Sequence, residues 1–175
     1  MIEHMLGSLD ERSIDQTGAS LAAAIDGLLE LNPDTLGDGE LTQTVIALHR
    51  QQARLAAAVT RMTAAADARR VWADDGSRSP AAWVAHRCRL AAGHARGEVW
   101  LGRRLRTMPA TAGAIAAGDI SVRHAMVLAS LAGGRTAEFF ARDEALLVDH
   151  ARTMAWADFV RAVEYWRPAR RPRRR

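Results

Sequence analysis

Met108-Pro109 … Ala114-Ile115 … Gly118-Asp119-Ile120-Ser121 … His124-Ala125 is the stretch whose reading decides the fold. Proline suits the first position of a helix, where the N–H it lacks would be unbonded anyway. Gly118 has the placement of a left-handed helix stop, and Ser121 that of an N-cap for the next helix. The punctuation predicts helix, short helix, helix between residues 95 and 132, with the short one at about 111–117. A strand could hide only at Asp119–His124, where Ile120 and Val122 alternate with polar neighbours, and six residues are too few to outweigh the caps.

Outward from this stretch the helical pattern continues. Downstream it predicts helices at Val122–Leu131, from Ala137 to about Arg152, and at about Trp156–Trp166. Upstream, a helix from about Ala92 to Met108 buries Ala95, Val99, Gly102 and Leu105, and Gly102 permits close contact with a neighbouring helix. Ser79-Pro80 starts another helix after the break Asp74-Asp75-Gly76-Ser77. Leu21, Ala24, Ile25, Leu28 and Leu29 form one apolar stripe that Asn32-Pro33 ends, giving a helix at about 20–31, while residues 1–18 read as a flexible or weakly helical arm.

The longest pattern lies between these. Leu41, Val45, Leu48, Gln52, Leu55, Val59, Met62 and Ala66 alternate spacings of four and three, a heptad seam over nearly four heptads on a helix at about 40–71. Two readings stay open. In a coiled-coil homodimer, or against another partner helix, Gln52 would set the register; inside a bundle it would sit at a wet edge. The reading carried forward combines them: the helix packs on its own chain and offers residues 41–66 to a partner.

Composition agrees with an all-α, single-domain bundle. The 175 residues suffice for one domain, and 36 of them are Ala, the strongest helix former, against three Phe and one Tyr. The longest run without a charge, Thr107–Gly118, has twelve residues, where a bilayer needs about 18. No membrane is therefore expected, and Met1-Ile2-Glu3-His4-Met5 has neither the basic flank nor the apolar run of a secretory signal. A cytoplasmic location is the expectation, and the single Cys88 fits a reducing compartment.

All 24 basic residues are Arg, and residues 1–75 hold six of them against twelve acids. Six more stand in Arg167–Arg175, an Arg/Pro-rich segment read as a disordered tail; without it the net charge falls from +4 to −2. Arg87, Arg89, Arg96, Arg103, Arg104 and Arg106 face only Glu98 between residues 87 and 106. With Arg170, Arg171, Arg173, Arg174 and Arg175 they form the candidate nucleic-acid-binding set, mostly for sequence-blind phosphate contact.

Catalytic and metal constellations are not found. The six His include no pair three or four apart, and one Cys cannot make a zinc site. Gly133-Gly134 lacks the following Lys of a phosphate loop. His124 reads as a packing or cap-region residue, and the adjacent carboxylates Asp143-Glu144 as a solvated helix face. No cofactor is expected.

The residues Asp75-Gly76 … Ser79 … Ala82-Trp83, followed by Leu105 … Met108-Pro109 … Ala114-Ile115 … Gly118-Asp119-Ile120-Ser121 … His124-Ala125, resemble the actinobacterial domain of unknown function 222 family, also called the 13E12 repeat family. The resemblance covers about residues 75–166 and extends back to Ser20. It implies a helical fold and an HNH-nuclease-associated context, since many members carry such a nuclease downstream. Two departures stand out. Ala91-Ala92 replaces the Ser or Thr cap with proline that the family favours, and the Arg/Pro tail ends the chain where members continue, as in a truncated member. An HNH site needs a base His, an Asn and metal ligands, and the only Asn, Asn32, lies beside a helix-ending proline. The expectation is a non-catalytic helical module over residues 20–166 that lacks the nuclease domain, with DNA binding through an Arg-rich face and basic tail as the alternative.

Overall fold

A computed structural model describes the backbone of residues 2–169 and the side chains of residues 13–167. Among the described residues the protein is all-α, with no strand. In chain order the helices are α1 (Ile2–Glu30), α2 (Asp38–Ala68), α3 (Val71–Asp74), α4 (Pro80–Arg87), α5 (Ala92–Leu105), α6 (Pro109–Ala117), α7 (Val122–Leu131), α8 (Ala137–Thr153) and α9 (Trp156–Ala169).

Two compact units divide the chain at residues 45 and 46. In the first, α1 is one helix of 29 residues, taking in both the flexible or weakly helical arm expected at 1–18 and the helix expected from about 20. Asn32 closes the segment as predicted: its Oδ1 accepts from the Asp34 N–H at 3.1 Å, capping a single 3-10 turn that opens with Pro33.

The second unit holds the core. Leu101, Met108, Ile115, Leu128, Phe140, Leu147, Val148, Phe159, Val163 and Trp166 make one buried cluster, and Val84, Ala95 and Val99 a smaller one between α4 and α5. Each helix contributes a stripe at helical spacing; on α8 it is Phe140, Asp143, Glu144, Leu147, Val148 and Ala151. The latter part of α2 joins through Ala53, Ala57, Thr60 and Ala64. Gly102 of α5 meets this alanine side so closely that a Cβ there would stand 3.0 Å from the Thr60 carbonyl and 3.1 Å from the Ala64 Cβ. That is the close contact the sequence predicted.

Within the deciding stretch, Gly118, Asp119, Ile120 and Ser121 each have a separate task. Gly118 adopts φ +76° and closes a Schellman motif, its own N–H donating to the Ile115 carbonyl and that of Asp119 to the Ala114 carbonyl. Asp119 pairs with Arg50 of α2 at 3.8 Å and with Arg152 of α8 at 3.1 Å. Ile120 is buried in the core. Ser121 caps α7 in a capping box whose reciprocal member is His124: Ser121 Oγ accepts the His124 N–H, and His124 Nδ1 accepts the Ser121 N–H at 3.2 Å. This box holds His124 between Trp156 and Phe159, each ring centroid 5.0 Å away.

Other boundaries differ slightly from expectation. Helix α6 begins at Pro109 itself, two residues before the predicted start. The short α3 precedes the break at residues 75–79, and α9 runs through Arg167 to Ala169, so the first residues assigned to a tail are helical. Arg170, Arg171, Arg173, Arg174 and Arg175 lie outside the described residues.

Candidate functional site

The adjacent carboxylates Asp143 and Glu144 are buried, and the expectation of a solvated face is corrected. Successive residues on a helix point about 100° apart, so the two reach different neighbours. Asp143 accepts from the Trp166 indole N–H at 3.0 Å and from the Arg142 guanidinium, which ties α8 to α9 and raises the Arg142 pKa. Glu144 Oε1 accepts the Thr111 backbone N–H at 2.8 Å. Met108, the N-cap of α6, makes no capping hydrogen bond with its side chain, and Glu144 fills that role from another helix, where the helix dipole also favours a negative charge. The signal available in the sequence was the missing cap at Met108, which left an N–H needing an acceptor from elsewhere.

The candidate arginines are not gathered into one face. Arg87 makes a two-pronged pair with Asp75 beside α3, and this hydrogen bond holds the Asp75 carboxyl below its usual range. Arg103 does the same to Asp67 of α2, at 2.6 and 3.0 Å, and lowers that carboxyl, with Arg106 adding to the effect through its charge. Arg104 turns inward, donating to the Ala132 carbonyl at 3.0 Å and lying over the Trp100 ring. The side chains of Arg89 and Arg96 are exposed and make no hydrogen bond or ion pair among the described residues. At 100° per residue, Arg96 and Arg103 share one line along α5, while Arg104 and Arg106 fall on opposite sides of it.

Arg89 has a structural task as well. It sits at φ +54°, the left-handed position ending α4, with its N–H reaching the His86 carbonyl and that of Leu90 the Ala85 carbonyl at 3.0 Å. This is a Schellman motif with arginine where glycine is usual.

The heptad seam of α2 is exposed. Leu41, Val45, Leu48, Leu55, Val59 and Met62 all retain a large accessible surface, 43% at Leu55, 45% at Val59 and 60% at Met62. The helix does pack on its own chain, but through Ala53, Ala57, Thr60 and Ala64. With 3.6 residues per turn the two stripes lie about 140° apart around the axis. The seam itself is not the face packed in the bundle: the helix packs on its own chain through its alanine side, and the leucine–valine stripe stays exposed.

A groove of about 560 Å³ runs between α2, α5 and α6, floored by Ala57, Ala64, Gly102 and Ile115 and flanked by Arg61 and Arg106. It is apolar because the helices meet there through small residues that leave space beside the contact. Among the described residues no group of three or more His, Cys, Asp or Glu is placed to hold a metal ion, and no helix is long and apolar enough to cross a membrane.

No curated protein and no solved structure matches the chain. A family model described as Domain of unknown function (DUF222) matches residues 42–164, which take in the latter part of α2, the alanine contact with α5 and the deciding stretch at α6–α7. The protein belongs to the domain of unknown function 222 family.

Proposed function

We propose that the protein is a non-catalytic helical interaction module that works by presenting the apolar stripe of α2 to another protein. One observation carries the reading: six large apolar side chains in heptad spacing stand exposed on a helix whose opposite side is already anchored in the domain. Exposed apolar surface of that extent marks an interaction site in soluble proteins. The buried Asp143 and Glu144, and the capping pair Ser121 and His124, support a structural role for themselves, since each is engaged in tying or capping helices. The resemblance to HNH-associated proteins supports a helper role beside a nuclease.

The test combines an activity assay with stripe variants. Purified protein with supercoiled plasmid and Mg²⁺, Mn²⁺ or Zn²⁺ leaves the plasmid intact; metal-dependent nicking that follows the protein through purification overturns the non-catalytic reading. Leu55→Glu with Val59→Glu removes the protein's associations while circular dichroism stays helical. Associations that survive both changes overturn the role of the stripe.

Nucleic-acid binding ranks second. Arg89 and Arg96 support it, being exposed without ion pairs, together with the charge of the terminal segment.

A further inference from the structure

The chemistry of the exposed stripe identifies its occupant. In heptad terms Val45, Gln52, Val59 and Ala66 hold the a positions of α2, and Leu41, Leu48, Leu55 and Met62 the d positions. The positions from Leu48 to Ala66 all lie in the second unit, and the same spacing runs back along the helix to Leu41. Branched Val at a with Leu at d is the combination that favours two parallel strands. A single polar a residue fits the same arrangement, because parallel pairing places it opposite its own copy, where two amides can bond to each other; opposite a leucine the Gln52 amide would lose its partners.

The flanks make the same choice. The positions beside the seam are Thr42, Thr44, His49, Gln51, Ala56, Ala58, Thr63 and Ala65, with no acid and no arginine. In a self-pairing helix, identical residues line both sides, and a neutral border avoids like-charge repulsion. Helices that select a different partner do so with charges at these positions, and α2 has none to offer. Arg50, Arg54 and Arg61 all stand away from the seam border. The seam extends about 38 Å at 1.5 Å per residue, long enough for a stable two-stranded coil when the helices are held by their domains.

Building on the reading of the stripe as an interaction surface, we infer that it is filled by a second copy of this chain, the two α2 helices running parallel with Gln52 facing Gln52. The main contact of α2 with its own domain is centred about 140° around the helix from the seam, and at the seam border it includes Thr63, whose hydroxyl donates to Glu98 Oε1 at 2.6 Å.

Light scattering and sedimentation equilibrium on the full chain test this. The wild type has twice the monomer mass of 19.1 kDa at micromolar concentration. Leu55→Glu with Val59→Glu returns it to the single mass, weakening association at least about 100-fold, with an unchanged helical spectrum. Orientation is read by Met62→Cys in a Cys88→Ser background, which removes the exposed native thiol. Mild oxidation then gives a covalent dimer, because parallel d positions meet their own copies. A monomer at every concentration overturns the second copy. A dimer indifferent to the Leu55 and Val59 changes overturns the surface, and one that cross-links Val45→Cys to Met62→Cys but not Met62→Cys to itself overturns the parallel arrangement. A monomer whose association with a different protein is lost with the stripe refutes the second copy and leaves the interaction-module reading standing.

Discussion

At Gly118 the backbone lies at φ +76°, and a Cβ would stand 2.7 Å from the Arg50 carbonyl of α2. Gly118→Ala therefore meets two costs, left-handed strain and a clash with backbone that cannot rotate away, and should destabilise by about 3 kcal/mol in thermal unfolding. Arg89 is the reverse case. It adopts φ +54° without glycine's freedom, so Arg89→Gly should stabilise by about 1 kcal/mol. His124 makes stability depend on pH. Burial holds its pKa below the ordinary 6.5, and its Nδ1 accepts the Ser121 N–H, so the folded state keeps the ring neutral. The unfolded chain takes up the proton first as pH falls. Stability is thus complete above about pH 6.5 and is lost below it, toward the lowered folded value. Denaturant unfolding between pH 5 and 8 checks this, with His124→Gln, which preserves the capping box, flattening the low-pH decline. The sequence revealed Gly118 and Ser121, because their roles are set within a few residues. It did not reveal that Arg89 is left-handed, since arginine carries no sign of positive φ.

Between elements, the buried carboxylates set the joints. Glu144→Ala leaves the Thr111 N–H buried without an acceptor and should cost about 2 kcal/mol, whereas Glu144→Gln keeps a carbonyl in place and should cost less than half of that. Chemical denaturation compares the two; equal losses would assign the cost to the negative charge at the α6 N-terminus, which both variants remove. Helix α2 shows how far periodicity reaches. Its heptad seam was plain in the sequence, and the alanine stripe was present at spacings of four, three and four. Larger side chains suggest the buried face, yet the domain uses the small ones, since α5 can approach through Gly102 only where α2 presents alanine and threonine. Burial follows the fit between two surfaces, and hydrophobicity on one helix does not determine it.

For the whole molecule, charge is distributed along the chain, with nine acids and one Arg in residues 1–45 and the positive excess after them. Arg87 and Arg103 are already paired with carboxylates, so phosphate contact would have to compete with Asp75 and Asp67. Any affinity for duplex DNA should therefore come mainly from the chain end. Deleting residues 170–175 removes five Arg and should lower the slope of log affinity against log salt by about four. A slope unchanged by the deletion would place the contact on the folded domain.

Most of the helices, and stops such as Gly118, followed from the sequence alone, because capping, proline placement and apolar spacing act over a turn or two of chain. What only the tertiary structure decided was which surface each helix turns inward: alanines instead of leucines on α2, two carboxylates facing the core on α8, three arginines committed to neighbours near α5. Those outcomes depend on contacts between residues distant in sequence, where packing and the pairing of buried polar groups are settled jointly by both partners.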